Sequence, residues 1–274
     1  MRDWSLFHKI FYEFVKLILP RFMRFFFRLE VNRIHFANRF PEGVPVIFCA
    51  NHRSHLDVLI FASALVRPYG KRTACGFMAS GKAMESNPYF ELVKHLGGFP
   101  VYSDNPEPAL NYAFKLLREK YAIFLAPQGK RIPSNPLDDF HNLIKEGKTG
   151  IGRLILRSNG KIPVVPMYIH GSHEALPPGS IIPKFRSYVS VTFCKPLIFS
   201  NFTKKGRWDP TTPEFYSAAR KIVNTIMTSI RRQMIIQEKY FLKILERKFK
   251  NPVEKIQITP KKKSKVDMIL YKLA

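Results

Sequence analysis

A histidine and an aspartate five positions apart are the residues of this chain best suited to chemistry. They are His52 and Asp57, in a segment that reads Asn-His-Arg-Ser-His-Leu-Asp from residue 51. An imidazole can take up a proton near neutral pH, and a carboxylate can orient the ring and stabilise its charged form. These are two members of a hydrolase triad, and a substrate hydroxyl could stand in place of the protein nucleophile. The pair therefore predicts a general base.

Two other interpretations of the same segment stay open on the residues alone. Ser54 and Asp57 have the spacing of a capping box, with Asp in place of Glu or Gln, so the carboxylate could simply cap a helix. His52 and His55 are three positions apart and could share a helical face with a metal ion. The cysteines argue against a metal site because they show no paired spacing: Cys49, Cys75 and Cys194.

The residues around the pair predict a strand before it and a helix after it. An apolar run, Val46–Ala50, precedes it and another, Val58–Phe61, follows it. Beyond residue 42 such runs alternate with helical patterns, which predicts an α/β fold with a mostly parallel central sheet covered by helices. We predict strands at 46–50, 73–78, 99–102, 122–126, 162–169 and 188–193, and helices at 57–66, 87–96, 106–119, 149–157 and 211 to about 250.

Ligands of such sheets lie at the carboxyl ends of the strands. His52, Tyr102 and Gln128 each follow a predicted strand, so one pocket could collect all three.

Charge and aromatic content narrow the class of partner. The chain has 274 residues, 45 Lys and Arg against 20 Asp and Glu, and a net charge of +25, which favours polyanions. It also has 24 Phe residues, and apolar rings insert into a bilayer interface. An anionic membrane surface is therefore the expected partner, and we expect no nucleic acid because no RNA-binding or helix-turn-helix signature is present.

The N-terminal segment predicts how the chain would meet that membrane. Its apolar residues fall on one helical face, and charges interrupt it too often for a transmembrane span. We predict two amphipathic helices, broken near Pro20 and lying in the membrane interface; a helix packed on the protein's own core is the alternative. The expected location is peripheral or monotopic, on the cytoplasmic face. The predicted division is an N-terminal membrane-associating segment, a core and a basic C-terminal helix with its tail: 1–35, 36–200 and 201–274.

Four sequence blocks occur in a recognisable order. The first is the segment at 51–57; the others read Gly-Gly-Phe-Pro-Val-Tyr-Ser at 97–103, Phe-Leu-Ala-Pro-Gln-Gly-Lys-Arg at 124–131, and Ile-Pro-Val-Val-Pro-Met at 162–167. In this order and spacing the chain resembles the glycerolipid acyltransferase family, closest to 1-acylglycerol-3-phosphate acyltransferases, over roughly residues 30–200. The resemblance makes His52 the catalytic base and Asp57 the residue that orients it.

The resemblance also implies substrates and binding residues. A thioester donor, acyl-CoA or acyl carrier protein, gives its acyl group to a lysophospholipid hydroxyl; no cofactor or metal takes part. Arg131 matches the arginine with which the family holds the acceptor's phosphate. The expected acceptor-binding set is Gln128, Gly129, Lys130, Arg131 and Lys145, and the expected acyl or acceptor pocket is Gly98, Phe99, Pro100 and Pro166.

The sequence departs from the family pattern at acceptor-binding positions. Gln128 stands where the family usually has Glu, and Ser103 falls where it usually has Arg. We therefore expect the transfer chemistry to be retained and the acceptor pocket to be altered. Glycerol-3-phosphate or another lysolipid is an alternative acceptor, and a non-catalytic lipid-binding protein or an RNA-binding protein is the alternative class.

Overall fold

The described part of the chain forms a seven-stranded sheet with helices on both faces. The structure, a computed structural model, describes residues 6–66, 75–86, 94, 97–131, 147–177, 180, 182–203 and 208–248. Its strands are β1 (Phe27–Asn32), β2 (Val46–Ala50), β3 (Cys75–Ser80), β4 (Gly98–Val101), β5 (Ala122–Leu125), β6 (Val164–His170) and β7 (Ser187–Phe193). Its helices are α1 (Leu6–Phe26), α2 (His35–Asn38), α3 (Leu56–Leu65), α4 (Gly81–Ser86), α5 (Glu107–Arg118), α6 (Gly150–Arg157), α7 (Ser172–Ala175) and α8 (Pro213–Lys248).

The sheet has the order β1-β7-β6-β2-β5-β3-β4. Neighbouring strands are parallel except β6 and β7, which are antiparallel. The central strands β2 and β5 are buried at every position, as expected for parallel strands covered on both faces. The predicted α/β fold with a mostly parallel sheet is confirmed.

Successive side chains of a strand point to opposite faces of the sheet, and this divides the core into two layers. On β2, Ile47 and Cys49 face the layer that contains α5, α6 and α8. Val46, Phe48 and Ala50 face the layer that contains α1 and α3. Both ends of the chain's described part therefore pack on the sheet, α1 on one face and α8 on the other.

The prediction of two N-terminal helices broken near Pro20 is wrong. α1 runs through Pro20 without a break, and a strand, β1, follows it directly. Proline removes one backbone hydrogen bond and crowds the preceding turn, at a typical cost of about 3 kcal/mol. Pro20 is buried, and its apolar packing works against this cost.

Residues 27–32 form a strand because they pair in parallel with β7, Phe27 lying beside Ser187. β1 therefore belongs to the same sheet as the strands of the predicted core, although the predicted division placed it in the N-terminal segment. The division into segments itself stays a prediction.

α8 is one uninterrupted helix. The predicted helix at 87–96 lies outside the described residues except for Lys94. Among the described helices, none is both long and apolar enough to cross a membrane.

Candidate active site

His52 and Asp57 form a hydrogen-bonded pair at the carboxyl end of β2. Asp57 lies in the first turn of α3, and the loop between strand and helix brings its Oδ2 to 2.8 Å from Nδ1 of His52. The Asp57 side chain is fully buried, whereas 24% of the His52 side chain is exposed. The carboxylate is thus shielded from water while the imidazole faces solvent.

The local backbone holds the carboxylate in place. Oδ2 of Asp57 also accepts the backbone N–H groups of Arg53, at 2.7 Å, and Ser54, at 2.9 Å. The Ser54 hydroxyl in turn accepts the Leu56 N–H at 3.3 Å. This is close to the reciprocal pattern of a capping box. The cap and the orienting carboxylate, alternatives in the sequence, are the same group in the structure.

The contacts of Asp57 assign the protons on the imidazole. An ionised carboxylate only accepts hydrogen bonds, so Nδ1 of His52 carries the proton that points to Asp57. Nε2 is then left with its lone pair and can accept a proton from a bound hydroxyl. Asp57 would stabilise the imidazolium that forms. The arrangement is that of an oriented general base.

Two side-chain amides tie the loop that carries His52 to the neighbouring strands. The Asn51 side chain accepts the Ile169 N–H and donates to the Ile169 carbonyl, both at 2.8 Å, and so ties the loop to β6. On the other side, Oε1 of Gln128 accepts the His52 N–H at 2.8 Å. Gln128 reaches this point through a turn in which the Gly129 N–H bonds to the Ala126 carbonyl at 3.0 Å, and Gly129 has φ +67°, which favours glycine. The loop is therefore held from β5 and from β6.

The basic residues of the third block lie at the same edge of the sheet. Lys130 and Arg131 are exposed. Burial, followed by the positive charge of Arg131, lowers the pKa of His55, which places that guanidinium within electrostatic reach of the loop bearing His52. Lys145 lies outside the described residues. The structure therefore brings His52, Asp57, Gln128, Gly129, Lys130 and Arg131 to one place.

The other predicted pocket residues lie farther away. Gly98, Phe99 and Pro100 are in β4. Two strands, β5 and β3, lie between β4 and β2, so β4 is about 14 Å from β2 across the sheet. Pro166 is buried in β6 beside Cys49. Their role in a pocket stays a prediction.

Tyr102 follows β4, as predicted, but its hydroxyl bonds to Glu85 of α4. It therefore contacts a neighbouring helix rather than the loop of His52.

A second polar cluster beside the loop was not foreseen. Nδ1 of His170 lies 2.7 Å from Oε1 of Glu238, and the Tyr168 hydroxyl donates to the same oxygen at 2.8 Å. Arg53, almost fully buried, lies 3.6 Å from Glu174 of α7. Local spacing could not reveal these contacts because they join residues far apart in the chain. Among the described residues, no group of three His, Cys, Asp or Glu side chains could hold a metal ion.

Comparisons with known proteins bear on the fold and on the family. The chain is similar to the crystal structure of PlsC from Thermotoga maritima, a 1-acyl-sn-glycerophosphate acyltransferase, with a TM-score of 0.52, 17% sequence identity and coverage of 84% of each chain. At this identity the likeness shows the fold. No curated protein sequence gives a significant match. The sequence model of the family described as Acyltransferase matches residues 32–170, just over half of the chain, and this span includes the whole loop that carries His52 and Asp57. The oriented histidine, the fold and the family match lead to one conclusion: the chain belongs to the acyltransferase family.

Proposed function

We propose that this protein is a membrane-associated 1-acylglycerol-3-phosphate O-acyltransferase. It transfers a fatty acyl group from acyl-CoA or acyl carrier protein to the free hydroxyl of the lysolipid and so forms phosphatidic acid. The observation that carries the proposal is the His52–Asp57 pair, in which a buried carboxylate orients an accessible imidazole. The similar Thermotoga protein, a 1-acyl-sn-glycerophosphate acyltransferase, supports the choice of acceptor.

The reaction follows from the protonation state of His52. Nε2 takes the proton of the lysolipid hydroxyl as the oxygen forms a bond to the thioester carbonyl carbon. The tetrahedral intermediate then collapses with cleavage of the carbon–sulfur bond, and the proton on Nε2 passes to the departing thiolate. The base is thereby restored without a covalent enzyme intermediate. Holding donor and acceptor together supplies much of the rate acceleration.

The loop after β5 offers positive charge for the acceptor's phosphate. Arg131 presents a planar guanidinium that matches phosphate oxygens, and Lys130 adds a point charge. Both side chains are exposed, so a ligand can reach them. Gln128 bears no charge and keeps its carbonyl oxygen on the His52 backbone, so it does not repel the phosphate.

An exposed aromatic surface on α1 supports the choice of a lipid acceptor. Phe25 is 70% exposed and lies 5.7 Å, ring to ring, from Phe185, which is 56% exposed. Further exposed apolar side chains continue the surface along α1, and Arg21 and Arg24 accompany it. Rings for the bilayer interface and cations for its headgroups favour an anionic membrane. The further apolar residues are Ile10, Phe14, Leu17, Ile18 and Phe22.

This aromatic surface lies at the same edge of the sheet as the catalytic pair. The Arg186 N–H bonds to the carbonyl of Phe26, the last residue of α1. Residue 186 precedes β7, and the antiparallel pairing of β6 and β7 places the start of β7 beyond His170. Binding of α1 to a bilayer would therefore bring the edge that carries His52 toward the lipid. A lysolipid could then present its hydroxyl without leaving the interface.

The first test is an acceptor panel with purified protein and vesicles. We expect acyl-CoA or acyl carrier protein to acylate 1-acylglycerol-3-phosphate more efficiently than glycerol-3-phosphate or a lysolipid with a zwitterionic headgroup. Arg131→Gln should raise the KM for the phosphate acceptor with a smaller effect on kcat. Vesicle binding without turnover on any acceptor would contradict the proposal and indicate a non-catalytic lipid-binding protein.

The membrane part of the proposal has its own control. Phe25→Ser should weaken binding to vesicles that contain anionic lipid, because it removes an exposed ring from the aromatic surface. Ile198→Ser is the matched variant, since Ile198 is 66% exposed but follows β7 at the opposite edge of the sheet. Equal losses for the two variants would show that the aromatic surface has no special part in vesicle binding.

A further inference from the structure

A groove lies at the edge of the sheet opposite to the catalytic pair. It lies between one face of α8 and the segment that follows β7, and Arg33, just after β1, also lines it. Its volume is about 580 Å³, within the usual range for small-molecule sites. Because β7 is antiparallel to β6, the carboxyl end of β7 lies beside the start of β6. His52 lies at the other edge of the sheet, beyond the carboxyl ends of β2 and β6. The strands separate this basic groove from His52 by about 20 Å.

Three cations from three different elements converge on the basic groove. Arg33 follows β1, Lys195 follows β7 and Arg232 comes from α8. None of the residues known to line the groove is acidic, and Thr228 and Ser229 of α8 contribute hydroxyl groups. The concave surface therefore combines positive charge with hydrogen-bond donors.

A chain with 45 Lys and Arg residues has many cations on its surface, so the basic groove has to be compared with other clusters of basic side chains. Arg153 and Arg157 of α6 also lie close together, but both bond to Glu107. One carboxylate therefore offsets part of the positive charge of that cluster. Among the described residues, those that line the basic groove include three cations and no acidic side chain, which favours an anion.

The position of Arg33 is held by the surrounding structure. Its backbone has φ +56°, a left-handed conformation that non-glycine residues seldom adopt. Its Nη1 donates to Oε1 of Gln233 at 3.2 Å, and Gln233 is buried. A side-chain amide of α8 thus directs this guanidinium toward the groove. A residue with a strained backbone persists where neighbouring contacts fix it, and such residues are often found at ligand sites.

We propose that the basic groove binds the phosphate of a phosphate monoester. A guanidinium offers paired donors to phosphate oxygens, and an ammonium group adds a second charge for the dianion. The groove is larger than a phosphate, and Leu197 and Ile236 provide apolar contacts for the organic part of the ligand. The ligand is either the headgroup of a lipid or a soluble phosphorylated molecule.

The test measures inorganic phosphate binding by calorimetry on the full chain at constant ionic strength. All proteins carry Arg131→Gln, which removes the proposed phosphate ligand near His52. We expect Arg33→Gln and Arg232→Gln each to weaken phosphate binding about tenfold, the usual effect of losing a charged hydrogen bond. The control is Lys221→Gln, since Lys221 is exposed on α8 but does not line the groove; it should change binding less than about twofold.

Two outcomes would overturn the proposal. The first is an equal loss in all three variants, which would indicate diffuse positive charge; the second is no phosphate binding in the Arg131→Gln parent. Arg232→Gln alters an exposed helical side chain and should fold normally, and unfolding midpoints check this. Arg33→Lys keeps the charge but loses the paired donors, and it should bind phosphate with intermediate affinity.

Two further arms distinguish the source of the phosphate. If the ligand is a lipid, Arg33→Gln will weaken binding to phosphatidylcholine vesicles that contain phosphatidic acid more than Lys221→Gln does. If it is soluble, vesicle binding will be unchanged while binding of glycerol-3-phosphate falls in parallel with that of inorganic phosphate. Either pattern supports a phosphate site in the basic groove. Neither depends on acyl transfer, so failure of the proposed function leaves the result interpretable.

Discussion

The part of the chain that the structure describes contains two histidine–carboxylate pairs at the same edge of the sheet. In the first, Nδ1 of His52 lies 2.8 Å from Asp57; in the second, Nδ1 of His170 lies 2.7 Å from Glu238. Distance alone does not separate them. Their surroundings differ, and the difference is the reason we propose only His52 as a base.

The first pair is built locally and left open. Asp57 is fully buried and receives two backbone N–H groups from its own loop, while 24% of the His52 side chain is exposed. The second pair is built from distant segments: Glu238 comes from α8, and its oxygen is shared with the Tyr168 hydroxyl. Only 12% of the His170 side chain is exposed. The first arrangement leaves an oriented imidazole accessible, as the proposed base requires, whereas the second fastens α8 to β6.

The largest expected effect is the loss of activity in His52→Ala. Removing a general base typically costs about 10²–10⁴-fold in rate, so kcat should fall by about that factor. His170→Ala should leave kcat within a few fold and instead lower the free energy of unfolding by about 1–3 kcal/mol, because Glu238 loses a partner. Acyl transfer assays and denaturant unfolding of both variants would check this. A comparable fall in kcat for the two variants would contradict the distinction between the pairs.

Substitutions of the two carboxylates, Asp57 and Glu238, should also differ in their effect on kcat, and the loss at Asp57 should be somewhat smaller than that at His52. Asp57→Asn removes the charge that stabilises the His52 imidazolium, and we expect kcat to fall about 10²–10³-fold. Oδ1 of Asp57 is buried with no hydrogen-bond partner among the described residues, so a new amide N–H there would also cost about 1–3 kcal/mol of stability.

Glu238→Gln keeps the shape and loses the charge of the second pair. It should lower the unfolding free energy by about 1–3 kcal/mol with little change in kcat. Steady-state kinetics on both carboxylate variants, with unfolding midpoints, would separate the effects. A normal kcat in Asp57→Asn would show that Asp57 serves only as a helix cap.

The two pairs also show what the sequence could reveal. His52 and Asp57 were predictable because one loop contains them, and the α/β sheet was predictable because apolar runs alternate with helical patterns. His170 and Glu238 are 68 positions apart, so only the docking of α8 on β6 brings them together. The continuous α1 was missed because Pro20 predicts a break, and β1 was missed because its pairing with β7 is a tertiary contact. Local patterns identified the His52–Asp57 pair, while the contacts that hold its loop required the fold.

Gln128 should have an intermediate effect, because it contacts the backbone of the first pair and not its chemistry. Gln128→Ala leaves the His52 N–H without its acceptor, and we expect kcat to fall about tenfold. Gln128→Glu keeps an oxygen at the same place and should restore kcat, while its negative charge raises the KM for a phosphate acceptor. Kinetics with acceptors that differ in headgroup charge would check both parts. Equal kcat values for Gln128→Ala and Gln128→Glu would contradict a positioning role for the side-chain oxygen.

The smallest expected effect is a pH dependence of stability that belongs to the second pair. Burial raises the pKa of Glu238, but the hydrogen bond and charge of His170 and the hydrogen bond of Tyr168 outweigh it, so the pKa lies below its usual value of 4.5. The positive charge of Arg53 acts in the same direction.

A carboxylate whose pKa is lower in the folded state stabilises the protein above its unfolded pKa. That contribution is lost as the pH falls through the folded value. The difference in unfolding free energy between the wild type and Glu238→Gln should therefore shrink as the pH falls from about 4.5 through the folded pKa of Glu238. Urea unfolding at a series of pH values would measure it. A difference that grew on acidification would mean that Glu238 is protonated more readily in the folded protein, and that the second pair does not hold α8 through its charge.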